Sequence, residues 1–292
     1  MGEAEESGEL PVNLTHRQLV EHLGHHPDVL AQRARQDEEH SKRPEQAEST
    51  ALYREEAAGL LAELAAAGFP VTEVAELHQR VVYYLDGVEI DLAKDGYPVQ
   101  DADRLERRKM DYRAAVPILV RWLPSIRHWA LASEIVGALS KSFAKKQARP
   151  VLLALFRDPP RWVAPHLPSA SDPVEMLRTT IGTVLGGFAD PSVADEYLAI
   201  AQDRSSGAAR AGVVADLPRL KDERVFDVLV GLLDDPTVAA WSVRALGKLR
   251  NPEAVSRIRE LLDHPPAEWD ANTLANVKAE AKKALKRLDA AK

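Results

Sequence analysis

The chain has 292 residues, 45% of them apolar and 5% aromatic, with 38 basic against 45 acidic side chains and no cysteine. This composition excludes a disulfide framework, a Cys-based metal site and a uniformly basic nucleic-acid-binding domain, and its abundance of Ala, Leu and Val favours helix. No apolar run approaches the roughly 20 residues needed to span a bilayer, and the start MGEAEESGELP lacks the basic and apolar parts of a secretory signal, so a soluble, cytoplasmic protein is expected.

In chain order, residues 1–13 are acidic and Gly-containing, and a disordered tail is expected there. Residues 14–110 read as a helical N-terminal region with an insertion. Thr15 can cap a short helix through Gly24, and Pro44 interrupts a long charged stretch. After it, Leu52, Ala57, Leu60, Leu61, Leu64 and Ala65 give one helix an apolar face that Gly68 and Pro70 stop. Within 81–92, two β-favouring runs flank Asp86-Gly87, the pair preferred in two-residue turns, so a small hairpin is expected.

Residues 111–292 read as about five helix pairs: 111–123 with 127–142, 147–157 with 173–188, 192–202 with 207–220, 223–234 with 237–250, and 253–263 with 273–290. Between the members of the second pair, PPRWVAPHLPSASD is too rich in Pro for helix and reads as an ordered loop bearing Trp162 and His166. The pairs repeat. Ala211, Val214, Leu217 and Leu220 map onto Ala240, Val243, Leu246 and Leu249 at a constant offset of 29. Val225, Leu229, Leu232 and Leu233 map onto Ala254, Ile258, Leu261 and Leu262 at the same offset. Tyr197 and Ile200 precede Leu229 and Leu232 by 32, and Leu285 and Leu288 follow Leu246 and Leu249 by 39. Apolar positions at this spacing form stripes on one side of a helix, and register from unit to unit predicts that each pair buries its stripe against the next. The all-α architecture expected is therefore a solenoid of antiparallel helix pairs.

The stretch DPTVAAWSVRALGKLRNPEAVSRIRELLDH, through Asp235, Pro236, Val238, Ala245, Leu246, Gly247, Leu249, Asn251, Pro252, Glu253, Ala254, Val255, Leu261 and Leu262, resembles a HEAT repeat. It is of the short variety also found in phycobilisome-lyase-type proteins. The resemblance covers residues 190–264 most fully and implies an α-solenoid that binds other macromolecules, its second helices lining the concave side.

Charge is uneven along the chain. Residues 1–100 hold 20 acidic and 8 basic side chains, whereas 101–292 hold 25 and 30. Arg104, Arg107, Arg108 and Lys109 form one basic cluster; Lys141, Lys145, Lys146 and Arg149 form another. These suit an acidic protein or phosphates, or simply the acidic half of the chain itself. A second candidate is a ladder on the second helices, where Arg219 aligns with Lys248 and Arg287, and Arg244 with Lys283. Trp241, Arg244 and Lys248 share a face at i, i+3 and i+7, and Trp and Arg are enriched in binding hot spots. The plainer reading is that these cations answer helix C-terminal dipoles while Trp241 packs between repeats.

Catalytic patterns are thin, with no Gly-rich phosphate loop, GxSxG, HExxH or Cys nucleophile, so no catalytic residue and no cofactor is assigned. His16, His22, His25, His26 and His40 lack the spacing of a metal site, and Asp235 reads as an N-cap. Two function classes follow. The first is a non-enzymatic module holding a protein partner on its concave surface, as adaptor, inhibitor or immunity-type protein. The second, ranked behind it, acts on nucleic acid: His128–Leu139 is similar to HEAT-like alkylpurine DNA glycosylases, although Ser133 and Glu134 stand beside Trp129 where that family has an Asp. A bilin lyase-type chaperone is implied by resemblance alone.

Overall fold

The computed structural model describes residues 44–69, 71, 73–77, 84–85, 88–89, 111–162 and 172–290. The chain divides into two compact units, one of residues 1–118 with 164–166 and one of residues 119–163 with 167–292. The expected tail at 1–13, the helix after Thr15, the N-terminal histidines, the cluster at Arg104–Lys109 and His166 lie outside the described residues.

In the first unit, helix α1 (Pro44–Ala66) begins at the proline read as a break, which is where a residue lacking an N–H fits a helix start. Ala57, Leu60 and Leu64 are buried, while Leu52 and Leu61 are half-buried and Ala65 is exposed, so the apolar face is narrower than its sequence. Gly68 (φ +92°) ends it: its left-handed backbone lets the Phe69 N–H donate to Leu64 O at 2.8 Å. Further on, β1 (Tyr84–Leu85) pairs antiparallel with β2 (Val88–Glu89), Tyr84 opposite Glu89 and Leu85 opposite Val88, which leaves two residues for the turn. The rest of the expected hairpin, including Asp86-Gly87, lies outside the described residues.

Helix α2 (Val116–Trp122) crosses the boundary between the units. The second unit continues as α3 (Trp129–Leu139), α4 (Lys145–Arg157), α5 (Pro173–Gly187), α6 (Ala194–Gln202), α7 (Ala211–Asp216), α8 (Arg224–Gly231), α9 (Ala239–Leu249), α10 (Glu253–Asp263) and α11 (Ala271–Asp289). Most of these helices are shorter than the apolar pattern of the expected ones. The largest difference is at 207–220. There Gly207 (φ 50°, ψ −137°) breaks the helix, 3-10 turns occupy 204–210 and 217–220, and regular α-helix is confined to α7. Gly207 supplies a conformation closed to other residues, and Pro218 opens the second turn.

The register is structural. Val214, Leu217, Leu229, Val243, Leu246, Ala254 and Ile258 are all fully buried, and Tyr197 and Leu288 with them. At the edges of the stripes Ala240, Leu249, Leu262 and Leu285 are half-buried. The helix starts repeat as well. Asp172, Asp203, Asp235 and Asp270 each accept a backbone N–H two or three residues on, leading into α5, the 204–210 turn, α9 and α11. Asp190, Asp222 and Asn251 do the same for the turn before α6, for α8 and for α10. A short carboxylate or amide satisfies donors that have no intrahelical acceptor, typically at about 1 kcal/mol each, and here it does so at both turns of successive pairs.

Second helices pack directly on one another. A Cβ on Gly182 would lie 2.0 Å from Ala209 O, one on Gly186 would lie 2.2 Å from Gly212 O, and one on Gly247 would lie 2.7 Å from the Ala284 Cβ. The missing side chains let α5 approach the 204–210 turn and α7, and let α9 approach α11, at backbone range. Tyr197 locks α6 against this layer, its hydroxyl donating to Leu185 O at 2.8 Å in a buried site whose desolvation pushes the phenol pKa up.

Candidate partner-binding surface

The array is joined by charge as well as by apolar packing. Arg210 is fully buried; its Nη1 donates to Ala201 O at 2.7 Å, its Nε to Gly207 O at 3.1 Å, and its Nη2 to Asp235 and to Thr237 Oγ1. Asp235 also accepts from Thr237 N and Oγ1. Burial pushes the Asp235 carboxyl up, but the hydrogen bonds from Thr237 and Arg210 outweigh it and hold the pKa below the ordinary value. Asp235 thus caps the turn into α9, as its position before Pro236 suggests, and is also the counter-ion of a buried arginine 25 residues upstream.

The basic cluster at Lys141–Arg149 separates in the same way. Lys145 and Arg149 converge on Asp190 at 2.6 and 2.8 Å, joining α4 to the start of the next pair. Lys141 and Lys146 are exposed and make no hydrogen bond or ion pair among the described residues. The ladder divides likewise. Lys248 Nζ donates to Ala215 O at 2.7 Å and to Asp216 at 2.8 Å, pinning α9 to the end of α7, and Lys283 pairs with Glu280 at 2.6 Å on its own helix. Arg219 and Arg287 are exposed and unpaired among the described residues. Arg244 lies over the ring of Trp241, 5.6 Å from its centroid. Trp241 does not pack between repeats: it is 39% exposed. With the equally exposed Met176 on α5, it completes the set of exposed large apolar side chains among the described residues, and both stand on second helices.

The partners of Arg210, Lys145 and Lys248 are not legible in the sequence. Only one half of the signal was local: Asp or Asn two residues before the capped N–H, as in Asp190-Pro-Ser192 and Asp235-Pro-Thr237.

Hydrogen bonds from Lys145 and Ser192, with a further one from Arg149, hold the Asp190 carboxyl well below the usual carboxylate range. A depressed folded-state pKa adds stability that is complete above the unfolded value, near 4, and is lost as pH falls below it. Asp190→Asn is therefore expected to narrow the gap between urea midpoints measured at pH 7 and pH 3. An unchanged gap would show that Asp190 does not contribute to acid lability.

Among the described residues no group of three His, Asp or Glu could hold a metal, and no helix is long and apolar enough to cross a membrane. A cavity of about 320 Å³ lined by Gln202, Arg204, Asp227, Val228, Gly231 and Leu232 opens between α6 and α8, on the first-helix side. Its Arg204 is already bound to Asp234 at 2.7 Å. At the segment similar to glycosylases, His128 is buried and Trp129, Ser133 and Glu134 are half-buried, so no exposed aromatic is offered to a base there.

Stacked antiparallel helix pairs with a common apolar register define an α-solenoid. A family model of HEAT repeats matches residues 194–286, which span α6 to α11. This part of the chain is a HEAT-repeat array, an architecture that commonly mediates protein interactions. No curated protein matches the chain, and no solved structure does.

Proposed function

We propose that the protein is a non-enzymatic interaction module whose second-helix layer holds a protein partner, acting as an adaptor, an inhibitor or an immunity-type protein. The observation that carries this reading is Trp241. It is a large aromatic left 39% exposed under a guanidinium, beside stripes whose central positions are buried, and Trp and Arg are the residue types enriched in binding hot spots. The closer approach of second helices through Gly182, Gly186 and Gly247 would curve the array toward that layer, placing Trp241 on the inner side. Arg244 covers its ring, Arg219, Lys283 and Arg287 belong to the same layer on the turn after α7 and on α11, and Lys248 and the exposed Lys141 and Lys146 are more peripheral in role.

Nucleic acid is the second reading, favoured by the basic side chains of this layer; the acidic balance of the whole chain and the pairing of Lys248 and Lys283 weigh against it. The test is photo-cross-linking from the full chain in native lysate, with benzoylphenylalanine at position 241 and, in a parallel sample, at the exposed Glu260 of α10. One protein captured from position 241 and not from 260 is expected. Equal capture from both positions, or none from 241, would remove the second-helix layer as the docking surface.

A further inference from the structure

The charge of the array is sorted by layer. From α6 onward, the first helices α6, α8 and α10 carry three basic and six acidic residues. The second helices α7, α9 and α11, with the 217–220 turn, carry eight basic and three acidic. Two of those three acids, Asp216 and Glu280, are already bound to Lys248 and Lys283. Positive charge therefore remains beside an exposed aromatic, although the chain as a whole is acidic.

Resting on the docking surface proposed above, we infer that its occupant is an acidic protein segment in extended conformation, lying across α7, α9 and α11 with one apolar side chain on Trp241 and carboxylates toward Arg219 and Arg287. The spacing selects this chemistry. Neighbouring packed helices stand about 8–10 Å apart, and an extended chain advances about 3.3 Å per residue. Carboxylates about three residues apart thus keep step with successive second helices. A duplex presents a charge about every 1.7 Å and needs a denser, unpaired set of cations. Here Lys248 is committed to Ala215 O and Asp216, so the row of Arg219, Lys248 and Arg287 is interrupted at its centre.

The probe is a fluorescein-labelled peptide of about twelve residues, with Glu at every third position and one central Leu, titrated with the full chain and read by anisotropy. The joint Arg219→Glu and Arg287→Glu variant, at exposed positions and with an unchanged helical circular dichroism signal, should weaken binding at least about tenfold. Trp241→Ala, and Ser for Leu in the peptide, should each weaken it without adding to one another. Equal binding of a peptide with Lys in place of Glu, undiminished binding by the double variant, or tighter binding of duplex DNA would overturn the inference. If the acidic peptide fails while position 241 still cross-links one protein, the occupant is wrong and the docking surface stands; if both fail, both readings fall.

Discussion

Replacing Asp235 by Ala is expected to destabilise the array by about 3–5 kcal/mol, the usual range when one partner of a buried ion pair is removed. The cause is less the lost attraction than what remains. Arg210 is fully buried with its guanidinium spread over Ala201 O, Gly207 O, Thr237 and Asp235, and only the last neutralises it. Without the carboxylate, a permanent charge would stay in a site that excludes water, and Thr237 N would lose its cap acceptor. The joint variant Asp235→Ala with Arg210→Met should recover a large part of the loss, because no charge is then stranded. Because a repeat array can open in sections, hydrogen exchange of amides in α6 to α9 is the better reading than a single global midpoint. A loss below about 1 kcal/mol in the single variant would mean that water or another group reaches Arg210.

Gly182→Ala is the second large effect. In an ordinary helix this change gains up to about 1 kcal/mol. At this position the new Cβ would meet a backbone carbonyl oxygen at 2.0 Å, which cannot rotate aside as a side chain would, so α5 must move off the Ala209 turn. A cost of about 3 kcal/mol, at the upper end for overpacking, is expected. Gly187→Ala in the same helix is the internal contrast: nothing stands within 4 Å, and it should be neutral or slightly stabilising. Thermal or urea midpoints of the two variants decide. Were they to move together, the close approach of second helices would not exist in solution.

The parts of this architecture that were legible in the sequence are those written by period. Leu217, Leu246 and Ile258 announce their burial because a 3.6-residue repeat places them on one side, and no knowledge of the neighbour is needed. Caps are equally local: Asp235 before Pro236 suggests its role from adjacent residues alone. What could not be read is what depends on a distant partner. Arg210 looks like any other cation at a helix start, and only the fold brings Asp235 to it across 25 positions. Gly182 and Gly186 look like weak points in a helix until another backbone is laid against them. Gly207 shows the opposite failure: the apolar period runs on through 207–220, so the break hides although Ser-Ser-Gly marks it. Within the surface, the face shared by Trp241 and Arg244 followed from spacing, whereas the engagement of Lys145, Lys248 and Lys283 by Asp190, Asp216 and Glu280 did not.

The two layers differ in charge and in exposed aromatic surface, and a matched pair of charge reversals probes that asymmetry directly. One variant carries Arg219→Glu, Arg244→Glu and Arg287→Glu in the second-helix layer; the other carries Asp195→Lys, Asp227→Lys and Glu260→Lys in the first, and both keep benzoylphenylalanine at 241. Loss of the captured partner in the first variant, with retention in the second, is the predicted result. Loss in both alike, or retention in the first, would contradict a docking surface on the second helices.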